Sequence, residues 1–301
     1  MNIVNLGGQD TKDWLALMIG NSRLHWAWFE FISSGQFILR QSWDTPHLSA
    51  QDVGCLLRHE FDFNQWGQGF SSVPDSAISP AISPAISPAP LPRARFPAAI
   101  PLWIASVVPA QTQIWQGYAQ VQVLSLEQIP LPGLYPTMGI DRALALWGAV
   151  NRLGPPILVI DAGTALTFTG ADARGQLVGG AILPGLGLQL RSLAEYTAAL
   201  PNLFDRLDEL RSIEALPSRW AIRTPDAILS GVLHTLLAGI HSFVQDWMQH
   251  YPDSTIVWTG GDSEGLLHHW QRRYPGCTWT IKAEPNLVFW GIQSVVAQRT
   301  L

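Results

Sequence analysis

The feature that most restricts what this chain can fold into is an order of elements that occurs twice. An apolar run over 14–19 predicts a strand that stops at Gly20-Asn21-Ser22. Strands over 24–31 and 37–43 follow, then a helix over 48–61, a strand in 101–108, a helix near 111–118 and a strand at 121–124. Apolar residues at helical spacing then predict a helix over 140–153, after which the pattern restarts. The β-branched run 157–160 stops at Asp161-Ala162-Gly163-Thr164-Ala165, and 166–171 and 177–183 supply two more strands. Helices near 188–200 and 225–249, a strand at 255–258, a helix over 263–273, a strand at 278–281 and a helix over 287–298 complete the chain. Met18-Ile19-Gly20-Asn21-Ser22 aligns with Asp161-Ala162-Gly163-Thr164-Ala165, each after an apolar strand and before another strand. A duplicated α/β domain with mixed sheets and a cleft between the halves is the expectation. The halves are read as 1–138 and 139–301. The tandem AISP repeat in residues 76–90 predicts a semi-extended insertion over about 70–100, because regular proline removes backbone donors and fixes extended geometry.

Composition narrows the class. With 47% hydrophobic and 14% charged residues, the chain has material for a sizeable core. Its formal charge of −5 and the lack of any Lys/Arg run argue against a dedicated nucleic-acid binder. No apolar stretch reaches the roughly 18 residues of a membrane helix, and the first 13 residues do not read as a signal peptide. The two cysteines, Cys55 and Cys277, form no CxxC pair, and the eight histidines are scattered. A cytoplasmic protein with no structural metal, no membrane partner and no nucleic-acid partner is the expectation.

Two glycine turns facing one cleft suit phosphate. Glycine lets a ligand approach the backbone, and exposed N–H groups form an anion nest. Asn21, Ser22 and Thr164 add donors, and Asp161 can hold a cation that neutralises phosphate. There is no GxxxxGK[ST], so this is not a P-loop protein. Gly139-Ile140-Asp141-Arg142 opens a helix. Asp141 there either offsets the helix dipole or serves as a general base beside an arginine that binds an anionic substrate. Gly179-Gly180 and Gly185 allow close backbone approach, or form a plain loop. At Thr259-Gly260-Gly261-Asp262 a strand runs into a helix start, where Asp262 could be the cap.

Taken in order and spacing, these segments resemble type III pantothenate kinase. The resemblance rests on Gly139-Ile140-Asp141-Arg142, Asp161-Ala162-Gly163-Thr164-Ala165, Gly179-Gly180 with Pro184-Gly185, Thr197-Ala198-Ala199-Leu200-Pro201 and Thr259-Gly260-Gly261. Tyr135-Pro136 and Pro285-Asn286-Leu287 fit as well, and about 60–100 lies outside it. The resemblance implies the actin-like ATPase fold, two ribonuclease H-like domains each with a mixed five-stranded sheet flanked by helices. It also implies a homodimer that transfers the ATP γ-phosphoryl group to pantothenate, the first step toward coenzyme A. Asp141 is then the base. Tyr135, Gly139, Ile140, Asp141, Arg142 and Thr197 contact pantothenate. Gly20, Asn21, Ser22, Arg23 and Thr164 hold ATP, and Asp161 binds a monovalent cation, potassium or ammonium. Magnesium arrives with ATP.

One position departs from the pattern. The family's first loop reads Asp-x-Gly-Asn-Thr, and here Met18 stands at the aspartate. A thioether is a poor ligand for a hard cation. Asp13 lies five residues earlier on an extended strand, roughly 17 Å away, too far to substitute. Either magnesium is organised by other groups and catalysis survives, or the chain is a weakly active homologue with a regulatory, ligand-binding role.

Overall fold

The computed structural model describes residues 13–33, 36–63, 91–92, 96, 99–211 and 216–300. The AISP repeat and nearly all of the expected 70–100 insertion lie outside the described residues. The chain divides into two compact units. One contains the described residues up to Ser125 together with those from Val296 onward, and the other contains Leu126–Val295.

The first unit is a mixed sheet in the order β3-β2-β1-β4-β5. Strand β1 (Trp14–Ile19) pairs antiparallel with β2 (Leu24–Ser33), which pairs antiparallel with β3 (Gln36–Thr45). On the other side of β1, β4 (Leu102–Ser106) and β5 (Val121–Val123) run parallel. All six residues of β1 are buried, which is why its sequence is a continuous apolar run without alternation. Leu15, Leu17 and Ile19 join Trp26, Trp43 and Ile104 on one face, against Val53 and Leu56 of helix α1 (Ala50–Arg58). Ser49 and Asp52 close a reciprocal capping box at the start of α1. The helix stops at Arg58, short of the expected residue 61. Glu60 and Phe61 take positive φ (52° and 53°) and turn the chain so that Phe61 and Phe63 enter the core. Several of the chain's 14 tryptophans gather here: Trp26 stacks on Trp43 at 6.1 Å and meets Trp115 edge-on at 5.5 Å. A short α2 (Pro109–Gln113) precedes β5.

The second unit repeats the plan. Its sheet runs β10-β9-β6-β7-β8, the same order read from the other edge. Strands β6 (Ile157–Ala162), β7 (Ala165–Ala171) and β8 (Leu177–Pro184) form an antiparallel meander, and β9 (Thr255–Thr259) and β10 (Thr280–Ala283) add in parallel. Helix α3 (Ile140–Leu153) precedes β6 and packs on β6 and β7. Helices α4 (Leu186–Glu195), α5 (Leu207–Arg211), α6 (Thr224–His250), α7 (Ser263–Arg273) and α8 (Leu287–Thr300) follow in chain order. The sequence does not announce α5, because five residues carry too little periodicity to mark a helix. Leu158, Ile160, Leu166 and Phe168 bury one face of the sheet against α6. Alternation along the strands puts Val159, Asp161, Thr167 and Thr169 on the other face.

Two sequence expectations shift. Helix α6 has 27 residues and a mean hydropathy of 1.6 over its most apolar 18, so by length and composition it could cross a membrane. The expectation that no stretch reaches that length is corrected, because interspersed polar residues broke up the apolar run in the linear reading. Half of that window is buried inside the unit, as in a core helix. The division between units falls at Ser125–Leu126, against 138/139 in the sequence reading. The Leu177 N–H donates to the Pro132 carbonyl at 2.9 Å, which ties the segment before α3 to β8.

Candidate active site

In the second unit the chemistry begins at the head of α3. Gly139 caps the helix with extended backbone (φ −61°, ψ 133°) and no side chain to serve the first-turn N–H groups. Asp141 takes up one of them: its Oδ1 accepts from the Arg142 N–H at 2.8 Å. Burial pushes the Asp141 carboxyl above its usual range, and the N–H and charge of Arg142 only partly offset this. A carboxylate tuned upward suits a general base. Ile140, 8% exposed, anchors the turn in the core.

Arg142 points into the sheet and is 7% exposed. Its Nε donates to Thr169 Oγ1 at 3.2 Å, Nη1 to the Tyr135 hydroxyl at 3.2 Å, and Nη2 to the Phe168 carbonyl at 3.4 Å. Among the described residues no Asp or Glu carboxylate forms an ion pair with it. Gly180, the register partner of Thr169, makes room: a Cβ there would overlap the Phe168 carbonyl and come within 2.8 Å of Nη2. The Gly179-Gly180 pair is therefore part of strand β8, and Gly180 serves a close approach within the protein itself.

At the end of β6, Asp161 sits half-buried between Thr167 on β7 and Thr259 on β9. Three backbone bonds gather around it. Gly163 N–H donates to Ala165 O at 3.0 Å, Gly185 N–H to Thr164 O at 2.9 Å, and Asp262 N–H to Ala162 O at 2.8 Å. Gly260 (φ +90°) lies so close that a Cβ would overlap Asp161 Oδ1 and approach the Ala162 carbonyl group at 2.6 Å. Thr164 is exposed at the tip of the turn. Thr197 makes local bonds, donating to Leu193 O at 2.7 Å and accepting from Leu200 N–H at 3.3 Å, and neither joins it to Asp141 or Arg142.

In the first unit the matching turn is closed by Gly20 N–H to Arg23 O at 3.0 Å, and His47 Nε2 donates to Gly20 O at 2.8 Å. Asn21 is exposed; Ser22 and Arg23 are half-buried. His25 Nδ1 lies 2.7 Å from Asp44 Oδ1, and Arg23 Nη1 lies 3.9 Å from Asp44 Oδ2. Burial alone would raise the Asp44 carboxyl, but the hydrogen bond and charge of His25 and the charge of Arg23 outweigh it and hold the group low. Met18 occupies in β1 the place Asp161 occupies in β6. Each is the penultimate residue of the central strand, flanked by an antiparallel partner (His25; Thr167) and a parallel one (Ala105; Thr259). Met18 is 3% exposed. Asp13 sits just before the opposite end of β1 and accepts from Trp28 Nε1 at 3.1 Å.

Sequence reasoning missed the partners of Arg142 and the pairing of Asp262. That acid precedes α7 but makes no side-chain cap. It pairs instead with Arg211 Nε at 2.7 Å, 51 residues away in the chain. No local signal could have announced either arrangement.

Two ribonuclease H-like units in tandem, each with a glycine turn at the tip of its central strand, define a protein of the actin-like ATPase fold class. A crystal structure from Campylobacter jejuni, described as a conserved Baf family transcriptional activator, shares that fold with a TM-score of 0.53. It is 15% identical and covers 95% of this chain and 98% of its own. The profile of the type III pantothenate kinase family matches residues 89–246. Proteins named type III pantothenate kinase are 47% identical in Nostoc sp. over 95% of both chains and 40% identical in Synechocystis sp. over 96% of this chain and 93% of that one. The one from Thermosynechococcus vestitus is 35% identical over 95% and 91%. This chain belongs to the type III pantothenate kinase family.

Proposed function

We propose that the chain carries out the reaction named by its family, transferring the ATP γ-phosphoryl group to the primary hydroxyl of pantothenate to give 4′-phosphopantothenate, the first step of coenzyme A synthesis. The observation that carries the residue-level reading is the pairing, at one helix start, of a carboxylate raised by burial with a buried guanidinium that makes no ion pair among the described residues. In this reading Asp141 accepts the proton of the attacking hydroxyl. Arg142, with Gly139, Ile140, Tyr135 and Thr197, binds the anionic acceptor. Of a guanidinium's five N–H donors, three are engaged here, which leaves two for a ligand. The backbone turns at Gly20-Asn21-Ser22-Arg23 and at Thr164 offer donors to ATP phosphates. Positioning and charge neutralisation dominate such a transfer.

Asp161 is the proposed ligand of a monovalent cation, potassium or ammonium. It is a half-buried carboxylate beside the Ala162 backbone, and the close approach of Gly260 depends on the lack of a side chain there. A cation bound there supplies positive charge next to the phosphates. Magnesium, brought with ATP, finds no ligand at Met18, whose buried thioether suits a hard cation poorly. The protein is read as a cytoplasmic homodimer. Exposed apolar side chains on the second unit, among them Val178 and Ile182, are surface that such pairing could cover. The test is ADP formation by the purified protein with ATP and magnesium, with and without pantothenate and potassium. Pantothenate-dependent turnover is expected. Tight ligand binding with no turnover would replace the kinase reading with a regulatory one, for which Met18 is the motive.

A further inference from the structure

We infer that Thr169 is a positioning residue for the reaction: its buried hydroxyl, opposite Gly180, fixes the plane of the Arg142 guanidinium and so sets affinity for the anionic acceptor. This rests on the reading that Arg142 contacts that acceptor.

A guanidinium that is 7% exposed has lost most of its hydration, and such a group ordinarily has a carboxylate partner. Here its three hydrogen-bond partners among the described residues are neutral: the Thr169 hydroxyl, the Tyr135 hydroxyl and the Phe168 carbonyl. Neutral acceptors hold the fork in place without an ion pair; the neighbouring Asp141 shares a Coulombic interaction with Arg142 but makes no ion pair with it, so the fork can still receive an incoming anion. The three are not equivalent. Tyr135 is 40% exposed, so solvent competes for its hydroxyl, and the Phe168 contact is long at 3.4 Å. Thr169 is 2% exposed on the ladder between β7 and β8, and it grips Nε, the nitrogen nearest the stem. Fixing Nε fixes the plane of the whole planar fork, and recognition of a carboxylate by arginine depends on that plane. Gly180 completes the arrangement, since a Cβ there would overlap the Phe168 carbonyl and crowd Nη2 at 2.8 Å. Thr169 touches no reacting atom in this scheme and acts only through Arg142.

The experiment compares Thr169→Val, Thr169→Ser, Arg142→Gln and the double variant Thr169→Val/Arg142→Gln by steady-state kinetics, with thermal melting as a check on folding. Thr169→Val keeps the shape and removes the acceptor. It is expected to raise KM for pantothenate about tenfold or more, the size of one hydrogen bond to a charged group, with kcat and KM for ATP changed less than about twofold. Thr169→Ser restores the acceptor and KM. Arg142→Gln raises KM as well, and adding Thr169→Val to it changes nothing further. If Thr169→Val does not fold, Thr169→Ala carries the same expectation. An unchanged KM in Thr169→Val or Thr169→Ala beside a raised one in Arg142→Gln overturns the role of Thr169 and leaves that of Arg142 standing. Equal losses in the Val and Ser variants, or full additivity in the double variant, reduce Thr169 to packing. An unchanged KM in Arg142→Gln overturns both readings.

Discussion

Replacing Asp141 by Asn isolates proton transfer from everything else at the head of α3. The amide has the carboxylate's shape, and its Oδ1 can still accept the Arg142 N–H now held at 2.8 Å, so the helix start survives. On the proposed mechanism, what disappears is the proton acceptor. General-base catalysis by a placed side chain is worth about 10²–10⁴-fold, or about 2.7–5.4 kcal/mol at about 1.36 kcal/mol per tenfold, and kcat is expected to fall by that range. ATP affinity, measured by calorimetry, is expected to stay within about twofold. Stability moves the other way. Because burial raises the Asp141 pKa on folding, the folded chain binds the proton more tightly than the unfolded one. Stability is therefore greatest below the ordinary carboxylate pKa and declines as pH rises toward the raised one. At neutral pH the wild type carries that penalty and the amide does not, so Asp141→Asn is expected to melt at an equal or higher temperature. The gap closes in acid. The same raised pKa places the acid limb of the wild-type kcat/KM profile above the ordinary carboxylate range. A kcat within about threefold of wild type would remove Asp141 from the base role.

Met18→Asp is expected to tighten magnesium activation, read from rate against free magnesium, while lowering Tm, because the site is 3% exposed and a carboxylate there loses hydration; no change in the magnesium dependence would mean that the metal is organised elsewhere. Arg211→Ala takes from the buried Asp262 its 2.7 Å partner and is expected to cost on the order of 3 kcal/mol in urea denaturation. A loss under about 0.5 kcal/mol would show the pair to be incidental.

The linear sequence determined the elements and their repetition. The 140–153 helix was read with its observed bounds, since apolar residues at helical spacing follow a glycine start and Gly154 ends it. The strand end at Gly20 was legible because a glycine turn after an unbroken apolar run is a local signal, while β6 runs on through Asp161 to Ala162, two residues past its expected end. The anomaly at Met18 and the choice of Asp141 as base were legible only through the resemblance to the family's motifs. Tertiary structure alone decided what these groups are worth. Whether Asp141 merely offsets a helix dipole or has its pKa raised depends on burial, which no neighbour in sequence reports. Arg142 finds its acceptors 26 and 27 residues away on β7, and Gly180 looked like loop glycine until β8 was laid against that strand. Asp262 read as a cap and became half of an ion pair across 51 residues. The physical division is between short-range steric and periodic preferences, written along the chain, and desolvation with long-range hydrogen bonding, which exist only after the sheet and helices have closed on each other.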